Sequence, residues 1–202
     1  MATICVTGNC NYMYLALEDT ATGNQFIAEA MVSDLTTWAA IYDPAAGTAG
    51  NVIPHPANPD VVIFYGNFGT DVTVLTWDSG TRTLTDISPA SLGAKVVNTC
   101  APNPNNEDEI IITVDTDQDL LYTSDGGTTW TAWDAALGFN ATALAGIWSS
   151  QYAPHRYMVG GDNTTDLDVL YSPNQGNQSA NLEGASLGAQ AAITNIEVVI
   201  SG

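Results

Sequence analysis

"YTSDGGTTWTAW", residues 122–133, is the stretch whose reading decides the fold. A phenol, an acid, two glycines, several threonines and two indoles crowd into one turn-like segment. Such a set suits a catalytic pocket, a metal loop or a fold corner. The rest of the chain chooses among them, because the segment recurs. "LLYTSDGGTTW" from Leu120 aligns with "VLYSPNQGNQS" from Val169. Leu121 then meets Leu170, Tyr122 meets Tyr171, Asp125 meets Asn174 and Gly127 meets Gly176. A third copy, "VLTWDSGTRTLTDIS", puts Asp78 and Gly80 in register, and a fourth, "SDLTTWAAIYDPAAG", contributes Asp34 and Trp38. Positions 34, 78, 125 and 174 are spaced by roughly 44 to 49 residues, a period typical of solenoids and propellers.

The connecting pieces repeat as well. A Pro/Asn-rich loop and an apolar run precede each turn: "HPANPDVVIFYG", "APNPNNEDEIIITV" and "SSQYAPHRYMVGG", with "GNCNYMYLAL" filling the slot in the first copy. "ASLGA" occurs at 90–94 and again at 185–189 and reads as a loop. Short Val/Ile/Tyr-rich runs at 61–65, 109–114, 156–159, 72–76, 120–123 and 169–172 are bounded by turn formers and read as strands. No stretch keeps a helical period over ten residues. Each unit is therefore strand, Pro/Asn loop, strand, acidic turn, strand, Asp/Gly turn, short strand. The expected fold is all-β, a β-propeller of about four four-stranded blades in one domain. The repeats run approximately over 1–48, 49–94, 95–142 and 143–190. A β-sandwich and a parallel β-helix compete less well, since neither calls for a meander with one turn at fixed phase.

Thr123-x-Asp125-x-Gly127-x-Thr129-Trp130 resembles the Asp-box, or BNR repeat, Ser/Thr-x-Asp-x-Gly-x-Thr-Trp. The third unit matches it fully and the others partly. The resemblance implies an Asp-box β-propeller with the box between the third and fourth strands of a blade, away from the central pocket. The physics points the same way. An Asp side chain accepts an N–H two residues on, Gly127 supplies a positive φ, and Trp130 forms an apolar wedge between blades. Trp130→Ala is expected to cost about 3–5 kcal/mol, as a buried aromatic truncation does.

Sialidases in that family clamp a substrate carboxylate with three arginines. This chain has Arg82 and Arg156 alone, so it resembles a non-sialidase member. Nothing selects a pair of glycosidase carboxylates from the many acids, and His55 and His155 sit beside prolines in the same repeat slot, as turn residues do. The expectation is a chain that is not an enzyme.

Composition bounds the partners. The 22 acids and three bases give a net charge of −19, which repels nucleic acid and anionic membranes but leaves cations and neutral glycans open. Asp115, Asp117, Asp119, Asp166 and Asp168 cluster in hairpins aligned with Asp71. Such hard oxygen donors suit Ca²⁺, with a solvated hairpin tip as the alternative; no other cofactor is expected. Cys5, Cys10 and Cys100 form no framework and read as small buried apolar residues. The opening "MATICVTGNC" has no basic n-region, so no signal peptide is expected in the chain as given.

A tail at 193–200 repeats the opening strand of a blade. It closes the ring, pairs with another copy to enlarge it, or marks a chain cut from something longer. The sequence reading is a structural or binding module, extracellular or on a virion or particle surface, that self-associates or joins a larger assembly. The second reading is a lectin-like propeller with Trp77 and Trp148 as exposed sugar-facing aromatics. The third is an Asp-box glycoside hydrolase. The sequons at Asn140, Asn163 and Asn177 are too common by chance to discriminate.

Overall fold

The structure is a computed structural model. It describes residues 3–7, 9–18, 21, 25–43, 49–69, 71–90, 92, 95–114, 120–132, 147–148, 157–162, 167–171 and 183–186, the last four segments as strands and their pairing. Among the described residues, sixteen strands form four sheets of four and no helix occurs. Blade 1 holds β1 (Thr3–Val6), β2 (Tyr12–Glu18), β3 (Gln25–Met31) and β4 (Asp34–Tyr42). Blade 2 holds β5 (Ala49–Pro54), β6 (Val61–Asn67), β7 (Val74–Asp78) and β8 (Thr83–Asp86). Blade 3 holds β9 (Val97–Pro102), β10 (Ile110–Val114), β11 (Leu120–Thr123) and β12 (Thr131–Ala132). Blade 4 holds β13 (Ile147–Trp148), β14 (Tyr157–Asp162), β15 (Leu167–Tyr171) and β16 (Glu183–Ser186). Every sheet is an antiparallel meander in sequence order. The two "ASLGA" copies fall differently: Ala185 and Ser186 end β16, whereas Leu92 lies in a loop after β8.

The blades stack face to face. β5 lies against β1 and β2, β9 against β6, and β13 against β9. β6 shows why its sequence is a near-continuous apolar run. Val62 and Phe64 join Tyr14, Ala16 and Ile27 of blade 1, with Leu75 and Trp77, in one core. Ile63, one residue out of phase, joins Val97, Ile110, Ile112 and Val114 of blade 3 in the other. Both faces of this sheet are buried, so polar residues have no side on which to alternate. Each fully buried Ile or Phe contributes roughly 1.5–3 kcal/mol.

The loop between the first and second strands has one construction in three blades. Its first residue is Thr7, His55 or Asn103, each polar and buried. Their N–H groups bond to the carbonyls of Tyr12, Val61 and Glu109 across the loop at 3.1, 2.9 and 2.8 Å. Their side chains turn inward to satisfy loop amides: Thr7 Oγ1 accepts from Tyr12 N–H, His55 Nδ1 from Ala57 N–H, and Asn103 Oδ1 from Asn105 N–H. His55 is thus a loop cap. His155, its counterpart in the sequence, lies outside the described residues.

With Nδ1 accepting, His55 is the neutral Nε2–H tautomer, and Nε2 donates to the Glu107 carbonyl at 3.2 Å. Burial holds its pKa below the ordinary 6.5. The unfolded chain therefore takes up the proton first. This contribution to stability is complete above pH 6.5, falls as the pH drops through that value, and levels off below the folded pKa. His55→Asn, which keeps an acceptor for Ala57, is expected to flatten the pH dependence of the denaturation midpoint just below the ordinary His value of 6.5. An unchanged slope would contradict the cap.

Candidate functional site

The acids singled out in the sequence lie in or beside the turn between the third and fourth strands, but they use it in three ways. Asp125 Oδ1 accepts from Thr129 N–H and from the Thr123 hydroxyl, both at 2.8 Å, while Oδ2 accepts from the Thr129 hydroxyl at 2.7 Å. Thr123 Oγ1 in turn accepts Gly127 N–H at 2.9 Å. The acid closes the turn four residues on, not two. Gly126 and Gly127 take φ of +66° and +88°.

Asp78 does follow the two-residue rule, accepting from Gly80 N–H at 2.8 Å and Thr81 N–H at 3.0 Å. The left-handed residue of that turn is Arg82, φ +61°, and not Gly80. Asp34 departs furthest. The β3–β4 turn is already complete when Asp34 opens β4 opposite Met31. Asp34 then caps Thr36 within a bulge of β4, between the pairs Met31↔Asp34 and Glu29↔Ala39. Trp38 is exposed, its Nε1 donating to Leu35 O, so it is no wedge. These bonds hold all three carboxyls below the usual range, led by the Thr36 hydroxyl at Asp34, Thr81 N–H at Asp78 and the Thr129 hydroxyl at Asp125. Asn174 and Gly176 lie outside the described residues.

In blades 2 and 3 the turn leans back on the preceding blade. The backbone of Gly127 meets Ile87 so closely that a Cβ there would lie 2.5 Å from Ile87 Cβ. Trp130 packs on the blade 2–blade 3 core, and its Nε1 donates to Ile87 O at 2.8 Å. A cavity of about 160 Å³ opens in the same seam, lined by His55, Asn58, Ile87, Glu107, Asp108 and Gly126 among others. Asn58 Nδ2 donates to Glu107 Oε2 across it at 2.8 Å.

The blade 1–blade 2 seam is polar in a different way. Arg82 reaches back from blade 2 to pair with the buried Glu29 of β3, its guanidinium over the rings of Trp77 and Tyr12 at 5.0 and 5.7 Å. Asn9 Nδ2 donates to Asp60 at the same seam. Burial, foremost, and the Glu29 carboxylate raise the Tyr14 phenol pKa, against Trp77, Ser79 and Arg82. Beside this seam, Cys10, Asn11, Tyr12, Met31, Val32 and Ser33 line a cleft of about 390 Å³. Met31, Val32, Leu35 and Trp38 form an exposed apolar strip along the outer edge of blade 1.

Two further expectations need correction. Trp77 is not a sugar-facing aromatic: it is 7% exposed, inside the blade 1–blade 2 core, because position 77 faces blade 1. Trp148 lies in the described backbone of β13. Cys10 is not a buried apolar residue but an exposed one with φ +58° in the β1–β2 loop. Cys5 and Cys100 are also free, with burial pushing the Cys5 thiol up to about 12. Of the calcium candidates, Asp115, Asp117, Asp119 and Asp166 lie outside the described residues, and Asp168 stands opposite Ser186 in the β15–β16 pair. No group of three or more His, Cys, Asp or Glu suited to a metal occurs among the described residues. What sequence reasoning missed is the Glu29–Arg82 pair. Its only trace in the sequence is an acid inside the apolar run of β3.

No protein-family model matches the chain, and no curated protein matches it. Solved structures do. A GH74 enzyme of Niastella koreensis is similar over 88% of this chain and 30% of its own, with a TM-score of 0.60 and 15% identity. The GH74 xyloglucanase of Xanthomonas campestris is similar over 100% and 31%, at 0.57 and 15%. The β-propeller domain of the Pyrococcus furiosus trilobed protease, which has an open velcro topology, is similar over 92% and 55%, at 0.53 and 10%. The chain spans less than a third of the two GH74 enzymes and about half of the protease domain. At such identities the likeness shows the fold, which is a β-propeller. The expectation that the chain is not an enzyme does not stand, since it shares its fold with enzymes. The fold does not by itself establish catalysis.

Two substitutions test the blade 2–blade 3 clasp. Gly127→Ala is expected to cost about 2–4 kcal/mol, from a strained left-handed Ala and a forced shift of Ile87, whereas Gly80→Ala costs less than about 1. Trp130 is half-buried, so its truncation to Ala is expected to cost about 2–3 kcal/mol, less than a fully buried indole would. Denaturant titration measures both. Equal losses at Gly80 and Gly127 would dismiss the close approach as the cause.

Proposed function

We propose that the chain is an Asp-box-type β-propeller module that binds neutral glycans. The observation that carries this reading is the cleft at the end of blade 1. Its volume of about 390 Å³ suits one or two sugar rings, with Tyr12 among its lining residues and Asn11 and Ser33 as hydrogen-bonding groups. The exposed Leu35 and Trp38 continue the apolar surface along β4. The −19 charge disfavours anionic polymers and leaves neutral ones. Two of the similar solved structures are GH74 enzymes, one of them a xyloglucanase. The Asp-box assignment rests on the Thr123–Asp125–Gly127–Thr129 hydrogen bonds.

A second reading is favoured by the exposed apolar strip of Met31, Val32, Leu35 and Trp38: a self-associating subunit of a larger extracellular or particle-surface assembly. A neutral-glycan array and sedimentation separate the two. Glycan binding should weaken at least about tenfold in Tyr12→Ala, as loss of an aromatic anchor does. A blank array with concentration-dependent sedimentation would favour the assembly reading and end the glycan one.

A further inference from the structure

We propose that the blade 1–blade 2 seam is a guanidinium cage, that the chain's own Arg82 occupies it, and that it accepts an external alkylguanidinium when Arg82 is withdrawn. The walls are aromatic and come from two blades: Tyr12 from β2 and Trp77 from β7, both within cation–π range of Arg82 Cζ. The floor is the Glu29 carboxylate, buried at 4% exposure. Arg82 pairs with its Oε1 alone, while Oε2 has no partner. The buried Tyr14 hydroxyl oxygen also lacks a partner. The tethered side chain therefore leaves acceptors unused that a planar five-donor ion could reach.

Arg82 is placed as a removable occupant. Its side chain is 50% exposed, so it enters from the rim. It stands on a left-handed turn residue, which a non-glycine side chain adopts at a cost, and the outlier needs a reason such as this contact. The ligand class follows from the lining. Two ring faces and one carboxylate suit a flat, weakly hydrated cation better than a compact, strongly hydrated ammonium. A metal ion would want more oxygen donors than the single carboxylate offers. The inference is independent of glycan binding, though both involve Tyr12.

The experiment titrates Arg82→Ala protein with guanidinium, methylguanidinium and free arginine at millimolar concentrations, following the melting temperature. Sodium, ammonium and urea at matched concentrations are the controls. The variant is expected to melt below the wild type. The guanidinium compounds should recover stability saturably, with a midpoint of about 1–10 mM for so small a ligand, and the controls should not. A second arm adds acetyl-Gly-Arg-Gly-amide. A response to it assigns the ligand to a partner's arginine, and a response confined to methylguanidinium and free arginine assigns it to a solute; either supports the cage. Adding Glu29→Gln should abolish the effect. Should Arg82→Ala fail to fold, Arg82→Lys, which keeps a stem and a charge without the fork, takes its place in the same titration. Recovery matched by sodium or ammonium, or persisting without the Glu29 carboxylate, would overturn the proposal.

Discussion

A four-stranded sheet with apolar side chains on both faces cannot exist alone in water, and the rest of this structure depends on that constraint. β6 states it within four residues: Val62 and Phe64 are covered by blade 1, and Ile63 by blade 3. Stacking supplies the apolar area, but flat stacking is non-directional. Direction comes from polar and close-packed contacts at the blade ends. In blade 3, Asp125 closes the turn so that Gly127 and Trp130 meet Ile87 of blade 2. In blade 2, the corresponding turn sends Arg82 to Glu29 of blade 1. One local device thus performs one mechanical task with different chemistry in neighbouring blades.

The architecture was legible because its causes are local and repeated. Apolar runs of five to seven residues between Pro/Asn loops and Asp/Gly turns can hardly be anything but short strands, and their period sets the meander. The loop-opening slot was legible as a turn in His55, though its shared use by Thr7 and Asn103 as inward caps was not. Phase within the turns was less legible. "SDLTTW" looks like the box around Asp125, yet Asp34 lies past its turn and within an edge bulge. Both segments satisfy the acid by local hydrogen bonds, so the letters alone cannot tell a turn from a bulge. Gly80 aligns with Gly127 in the sequence, yet the left-handed residue of the Asp78 turn is Arg82.

The polar seam between blades 1 and 2 was the least legible part, because it arises between sheets. Trp77 reads as a surface aromatic when taken alone, and only the stacking shows that its side of β7 faces blade 1. Glu29 and Arg82 are more than fifty residues apart in sequence, and no spacing rule joins them. The chemistry of a propeller collects at such seams and rims, where side chains from neighbouring sheets converge. The same fold carries enzymes among the similar solved structures, so function is a matter of which surface is furnished and not of the fold itself.

All four sheets are threaded by one uninterrupted length of chain, with no strand lent to a neighbour among the described residues. A module can therefore be gained or lost whole, as a single tandem duplication or deletion, without rethreading the others. What such an event must preserve is the handshake at each new boundary: an apolar face on either side and a corner that reaches the sheet before it.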